Sequence, residues 1–129
     1  MSVGILLVTH DNIGSSLLES LQKMLGTLPL PVKVLPVHHD SEPTVCRSHV
    51  EKLCRSLNQG QGVLILTDLY GATPAMIARS VIGNGRVRMI SGVNFPMLVR
   101  LMNYPNTDLD KLANNALIGG CQGILDVNN

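Results

Sequence analysis

The chain has few aromatic side chains: its 129 residues include no tryptophan, one phenylalanine and two tyrosines. Proteins that bind single-stranded nucleic acid stack bases on aromatic rings, so the composition disfavours that class. Neither sign of charge is in excess, since the chain has ten Lys and Arg residues and nine Asp and Glu residues. Without a basic excess, the chain lacks the electrostatic attraction that nucleic acid or an anionic membrane would need. We therefore expect neither partner.

Long apolar runs and nucleotide-binding loops are also missing. No apolar stretch approaches the length that crosses a bilayer, and no basic segment precedes the short apolar run at the start. The three cysteines form no close pair and no C-x-x-C spacing; they are Cys46, Cys54 and Cys121. We therefore expect each of them to be a small buried hydrophobic residue, in a protein of a reducing compartment. Neither Gly-rich phosphate loop of ATP- or NAD-binding proteins follows a strand, so no cofactor is expected. The prediction is a cytoplasmic protein without membrane insertion.

The chain does contain an alternation of apolar runs with segments of helical period. Four apolar runs predict strands at residues 3–8, 32–37, 63–67 and 87–90. This alternation is typical of an α/β fold with a doubly wound, mostly parallel sheet, built as one domain over residues 1–129. Pro36 cannot donate to a strand ladder, so the second strand is predicted at the sheet edge.

Five segments of helical spacing connect and follow these strands. Their predicted limits are Ile13 to Leu28, a helix opening at Pro43 with Ser41 as its cap, Thr73 to Gly83, Asn94 to near Pro105, and a helix capped by Thr107 or Asp108 that ends at Gly119-Gly120. The remaining Ile124-Leu125-Asp126-Val127 is strand-like but too short for a crossover of its own. We predict that it adds to a sheet edge, in its own subunit or in a neighbouring one.

Parallel strands joined by helices deliver their carboxyl ends to one edge of the sheet, where open α/β sheets bind their ligands. Four segments should therefore meet there: residues 9–11, 38–40, 68–74 and 91–94. They hold most of the chemically unusual side chains of the chain. We expect the functional site at this edge.

Two of these residues form a candidate catalytic pair. His10 follows the first strand, and Asp68 follows the third. A carboxylate that accepts the Nδ1 proton of a histidine fixes its tautomer and leaves Nε2 free to attack. The structural alternative is a loop histidine with satisfied hydrogen bonds and an aspartate that caps a helix.

A short turn next to this pair favours phosphoryl chemistry. Gly71, Ala72 and Thr73 stand just before a predicted helix, so their N–H groups and the Thr73 hydroxyl could hold an oxyanion. With no nucleotide loop in the chain, the phosphoryl group would arrive from another protein.

A metal site is the competing interpretation for the other histidines. A cluster close in sequence consists of His38, His39, Asp40, Cys46 and His49. Its spacing matches no structural zinc pattern, and Cys46 lies on the apolar side of its helix. We therefore expect no metal.

Three segments resemble the mannose-type EIIA domain of the bacterial sugar phosphotransferase system. They are V-T-H at residues 8–10, T-D-L-Y-G-A-T-P at 67–74 and S-G-V-N-F-P-M-L at 91–98. The last is the most specific of the three, and the resemblance covers essentially the whole chain. The phosphotransfer subunit of dihydroxyacetone kinase shares the histidine but fits residues 92–98 poorly.

The resemblance implies a homodimer that exchanges C-terminal strands, and a histidine phosphorylated at Nε2 by the phosphocarrier HPr and relieved by an EIIB component. By position, His10 is the phosphorylated residue and Asp68 its Nδ1 partner. The residues implied at the phosphate site are Gly71, Ala72, Thr73 and Asn94.

The chain departs from the family at Asp11, where a glycine is usual. A carboxylate there would repel an incoming phosphate and slow the transfer; alternatively, it caps the first helix. Two functions remain open. One is a carrier that feeds a sugar permease, and the other is a regulatory protein whose His10 phosphorylation state controls a partner in a system without its own permease.

Overall fold

The computed structural model describes residues 2–83 and 86–128. Strands and helices alternate along this part of the chain as the sequence predicts. In chain order the elements are β1 (Gly4–His10), α1 (Ile13–Leu25), β2 (Val32–Val37), α2 (Pro43–Leu57), β3 (Val63–Thr67), α3 (Thr73–Arg79), β4 (Val87–Ser91), α4 (Phe95–Asn103) and α5 (Leu109–Gln122).

The four strands form one parallel sheet in the order β2-β1-β3-β4. The predicted doubly wound α/β fold is confirmed. β2 lies at the edge, as Pro36 predicts, and Pro36 is paired with Thr9 of β1. From β1 the chain first moves outward to β2 and then returns to β3 on the other side of β1. The strand order therefore reverses between β1 and β3, the position at which open α/β sheets form a crevice for ligands.

Alternating side chains of the central strands form two apolar layers. Ile5 and Leu7 of β1 pack with α1, α4 and α5 on one face of the sheet. Leu6 and Val8 pack with α2 and α3 on the other face. All four side chains are fully buried, and burying a side chain of this size contributes about 1.5–3 kcal/mol. This core holds the carboxyl ends of β1 and β3 in place.

Two helix boundaries differ from the sequence prediction because of local hydrogen bonds. α1 ends at Leu25 rather than Leu28, since Gly26 has a φ of 75° and donates its N–H to the Gln22 carbonyl. α2 is capped by Glu42 and not by Ser41. The Glu42 carboxylate accepts the Thr44 N–H at 3.1 Å, whereas the Ser41 hydroxyl accepts the His38 N–H.

Two further helix ends differ from the sequence prediction. α3 ends at Arg79 instead of Gly83, because the next residues form tighter turns, with the Ile82 N–H bonded to the Arg79 carbonyl. α5 continues through Gly119 and Gly120, where the sequence predicts its end. A Cβ on Gly119 would lie 2.5 Å from the Arg100 Cβ, so these glycines let α4 and α5 approach closely.

Near the N-terminus of α5, Asp108 is the cap: its carboxylate accepts the Lys111 N–H at 2.9 Å. β1 extends beyond the predicted Val8, so that His10 is its last residue.

Cys46 and Cys54 are buried as predicted, but Cys121 is exposed, and the prediction for it was wrong. Burial raises the pKa of the Cys54 thiol to about 11, despite the neighbouring Arg55, so this thiol stays protonated.

The tail after α5 does not join the four-strand sheet. Residues 124–126 are neither helix nor strand. Three of its apolar side chains are largely in solvent: Ile124 is 78% exposed, Leu125 76% and Val127 90%. Pairing of this segment with a second copy of the chain stays a prediction.

Candidate functional site

His10 and Asp68 meet where the strand order reverses. His10 ends β1, and Asp68 directly follows β3, the neighbouring strand. One carboxylate oxygen of Asp68 lies 2.7 Å from the His10 Nδ1 and also accepts the His10 backbone N–H at 3.0 Å. Two bonds to the same residue fix both the ring and the backbone of His10. When Nδ1 donates to the carboxylate, Nε2 is the ring nitrogen that is free for chemistry.

The two partners differ in burial. The Asp68 side chain is 12% exposed and the His10 side chain 41%. Burial alone raises the pKa of Asp68, but the hydrogen bonds donated by the His10 ring and the His10 N–H outweigh it and hold this pKa below its usual value of 3.8. Asp68 is therefore ionised at neutral pH. A partly buried anion behind an accessible imidazole stabilises positive charge on the ring and orients it for nucleophilic attack.

Thr9 stabilises the turn that follows His10 through a hydrogen bond that the sequence does not predict. Its buried hydroxyl accepts the Gly14 N–H at 2.8 Å and so satisfies a donor in the first turn of α1. A Cβ on Gly14 would lie 2.9 Å from this hydroxyl oxygen. The only sequence signal is a hydroxyl at the end of an otherwise apolar strand.

Asp11 does not cap α1, so that interpretation is wrong. The N-cap of α1 is Asn12, which makes no side-chain capping bond. Asp11 has a φ of 42° and donates its N–H to the Val37 carbonyl at 3.0 Å. Its carboxylate lies 3.0 Å from the His38 Nδ1. The sequence places both residues at one sheet edge, but only the three-dimensional structure pairs them.

A cleft of about 400 Å³ opens beside His10. Its lining comes from the segments after β1 and β2 and from the start of α3. The lining residues are His10, Asp11, Val37, His38, His39, Ser41, Pro43, Thr73 and Pro74. Three of the four segments predicted to converge therefore do so here.

The predicted phosphate-binding turn lies at the start of α3. Gly71 has a φ of 83°, a conformation that L side chains rarely adopt, although a Cβ there would meet nothing within 4 Å. Ala72 is the N-cap and donates its own N–H to the Leu69 carbonyl at 3.3 Å. Thr73, the first helical residue, lines the cleft with His10. Their contact with a phosphate stays a prediction.

Asn94 is separate from this cleft. Its side-chain oxygen accepts the Met97 N–H at 3.0 Å, which caps α4, and its amide donates to the Gly120 carbonyl at 3.1 Å. It lines a different, smaller cleft with residues of α5. The structure thus gives Asn94 a structural function, and its predicted position beside the phosphate stays a prediction.

Among residues 2–83 and 86–128, no helix combines the length and the apolar character that a bilayer span requires. No three His, Cys, Asp or Glu side chains in the same ranges lie close enough together to hold a metal ion.

Comparison with solved structures identifies the class of fold. The mannose/sorbose specific IIA subunit of the phosphotransferase system from Enterococcus faecalis superimposes with a TM-score of 0.86 at 21% identity, over 98% of this chain and 96% of that one. A PTS IIA protein associated with the fucose utilization operon of Streptococcus pneumoniae gives 0.80 at 25% identity, over 99% and 97%.

The family follows from the sequence. The model of the EIIA-man family, described as the PTS system fructose IIA component, matches residues 4–117, and the chain belongs to this family of phosphotransferase-system components. The mannose-specific EIIAB component of Escherichia coli K12 is 28% identical over 127 residues, which are 96% of this chain and 39% of that protein. The chain therefore spans about two fifths of that curated relative. The resemblance to mannose-type EIIA domains is confirmed.

Proposed function

We propose that the protein is a phosphoryl carrier that accepts phosphate on His10 from phospho-HPr and passes it to an EIIB component for carbohydrate uptake. The observation that carries this proposal is the 2.7 Å contact between the His10 Nδ1 and the partly buried Asp68 carboxylate. It fits a IIA component, because a carrier needs a nucleophilic ring nitrogen held in one orientation. We place this reaction in the cytoplasm.

The acceptance step makes one bond and breaks one. The Nε2 lone pair of His10 attacks phosphorus, and the bond between phosphorus and the donor's histidine nitrogen breaks, with its electron pair returning to the donor ring. The His10 ring becomes positive, and Asp68, which accepts the Nδ1 proton as a hydrogen bond, stabilises that charge. The N–H groups of Gly71 and Thr73 and the Thr73 hydroxyl bind the phosphoryl oxygens in this proposal.

The decisive experiment is transfer from phosphoenolpyruvate labelled in its phosphate, through enzyme I and HPr. Wild type should be labelled, and His10→Ala should take up no label while keeping the circular dichroism spectrum and melting curve of a folded domain. His49→Ala is a matched control, since His49 is exposed on α2 outside the cleft. Labelling that survives His10→Ala would refute the proposal.

The regulatory alternative uses the same histidine and differs in the acceptor. If the protein is a carrier, adding an EIIB component of the same organism to the isolated phosphoprotein should remove the label from His10 as soon as the two proteins are mixed. Label that stays on His10 and instead changes binding to another protein would favour regulation. The two functions are therefore separated by following where the phosphate goes.

We also propose a homodimer that exchanges the segment after α5. The exposed Ile124, Leu125 and Val127 support it, because three neighbouring apolar side chains in solvent are unfavourable in a monomer. Deleting residues 124–129 should shift sedimentation from dimer to monomer. The matched control replaces only Asn128, at the end of the segment, with Ala. An unchanged sedimentation profile of the truncated chain would rule out the exchange.

A further inference from the structure

We propose that His38 is a positioning residue for phosphoryl acceptance, which neutralises the Asp11 carboxylate beside His10. This inference rests on the proposed function of His10 as phosphate acceptor. It assigns a function to a histidine that otherwise has no part in the reaction.

The geometry places a second histidine–aspartate pair in the cleft of the first. Asp11 follows His10 directly, and its carboxylate lies 3.0 Å from the His38 Nδ1. Both side chains line the cleft that His10 opens into. The Asp11 backbone is fixed by its bond to the Val37 carbonyl, in a conformation with φ 42° that Asp and Asn adopt more readily than most residues. The carboxylate is therefore held at the rim of the cleft.

An isolated carboxylate at this rim opposes the reaction. The incoming phosphoryl group is negative, and like charges within several ångströms repel one another. A protonated His38 cancels the Asp11 charge, whereas a neutral His38 leaves it. Both side chains are exposed, His38 to 51% and Asp11 to 69%, so solvent limits the effect to about two- to fivefold in rate. Neither residue makes or breaks a bond to phosphorus.

Titratable groups lie on the segments around this pair. His10 ends β1, and Asp68, which follows β3, is partly buried and ionised. The segment between β2 and α2 carries the others, His39 in the cleft and Asp40 and Glu42 beside it in sequence. The first turn of α3 presents only Thr73 and Pro74 to the cleft. Asp11 is the one carboxylate among the residues that line the cleft.

The test is a double-mutant cycle on the single-turnover rate of transfer from phospho-HPr. The variants are His38→Ala, Asp11→Asn and the two together, each compared with wild type at the same pH. Asn keeps the size of the side chain and tolerates the positive φ, so Asp11→Asn removes the charge alone. His49→Ala again controls for the loss of an exposed histidine on a neighbouring element.

The expected result depends on the residue at position 11 and on salt. At low ionic strength, His38→Ala should be about two- to fivefold slower than wild type. The defect should shrink as the ionic strength is raised, because salt screens an exposed pair. In the Asp11→Asn background, His38→Ala should have no effect at either ionic strength, because no charge is left to neutralise.

Each contrary outcome has one meaning. Wild-type protein that takes up no phosphate would refute the proposed function, before this inference is tested. Wild type that is labelled while His38→Ala transfers at the wild-type rate at low ionic strength would overturn the inference alone. A defect of equal size in both backgrounds, or one independent of ionic strength, would show a structural effect of His38 and would also overturn it.

Discussion

Among the described residues, two histidine–aspartate pairs lie at one sheet edge. They contain the same chemical groups but differ in exposure and in the number of hydrogen bonds that hold them. In both pairs an imidazole Nδ1 faces a carboxylate oxygen, at 2.7 Å for His10–Asp68 and 3.0 Å for His38–Asp11. Asp68 is 12% exposed and accepts two bonds from His10, one of them from its backbone. Asp11 is 69% exposed, and its partner is 51% exposed.

The difference shows how burial separates a fixed pair from an adjustable one. A buried carboxylate that accepts several hydrogen bonds stays ionised and holds its partner, because leaving that charge without partners is costly. An exposed pair has little net stability, and protons and salt in the solvent change its strength. His10–Asp68 is thus suited to carry the reaction, and His38–Asp11 to adjust it.

The largest predicted contrast is in transfer rate. Asp68→Asn should slow acceptance from phospho-HPr about 10- to 100-fold, since hydrogen bonds to charged groups contribute about 1.5–3 kcal/mol. Some transfer should remain, because Asp68 orients the ring and does not carry phosphate. Asp11→Asn, the same chemical change in the exposed pair, should not slow transfer. Single-turnover kinetics measure both, and an unchanged rate in Asp68→Asn would remove its orienting function.

A second contrast concerns stability in acid. The pKa of Asp68 is lowered in the folded state, so its contribution is present above the usual value of 3.8 and is lost as the pH falls through the folded pKa. At neutral pH, Asp68→Asn should reduce the free energy of unfolding by about 1–3 kcal/mol. The difference in unfolding free energy between Asp68→Asn and wild type should narrow as the pH falls below 3.8. Urea unfolding at several pH values measures it.

Asp11→Asn is the control for that experiment, and its unfolding free energy should stay within about 0.5 kcal/mol of wild type. If both variants lost equal stability at neutral pH, burial would not be what distinguishes the pairs.

The smallest predicted contrast is in the response to salt. Raising the ionic strength from about 0.01 M to about 1 M shortens the Debye length from about 30 Å to about 3 Å. The rate defect of His38→Ala, expressed relative to wild type at each salt concentration, should therefore fade. The relative defect of Asp68→Asn should persist, because the Asp68 carboxylate is only 12% exposed. Two defects that fade together would contradict the proposed difference.

The sheet could be predicted from the sequence, because each strand is an apolar run and Pro36 marks the edge. Most helix ends could not. Gly119 and Gly120 look like a helix stop in the sequence, but they lie inside α5, where α4 packs too closely for a side chain. Whether a glycine ends a helix or admits a neighbour depends on tertiary packing, which local patterns do not contain.

The candidate site likewise has features that the sequence predicts and features that it does not. His10, Asp68 and Thr73 are brought to one edge by topology alone, and topology follows from the order of strands and helices. Pairing within that edge is set by side-chain geometry. Asp11 contacts His38 and caps no helix. Asn94 forms hydrogen bonds with Met97 and Gly120. The sequence predicts which segments meet, whereas the structure is needed to show which atoms do.

The position of His10 and Asp68 at the carboxyl ends of adjacent strands has a consequence for how such a domain can be altered. Neighbouring strands are about 4.8 Å apart, and their ladder sets the distance between the two residues independently of the loops. Residues 38–42, between β2 and α2, could therefore be exchanged for those of another family member without displacing the histidine from its carboxylate. Grafting loops from different family members would give a series of proteins that share the His10–Asp68 pair and differ in the residues around it. Their preference for a phosphoryl donor and acceptor could then be redesigned.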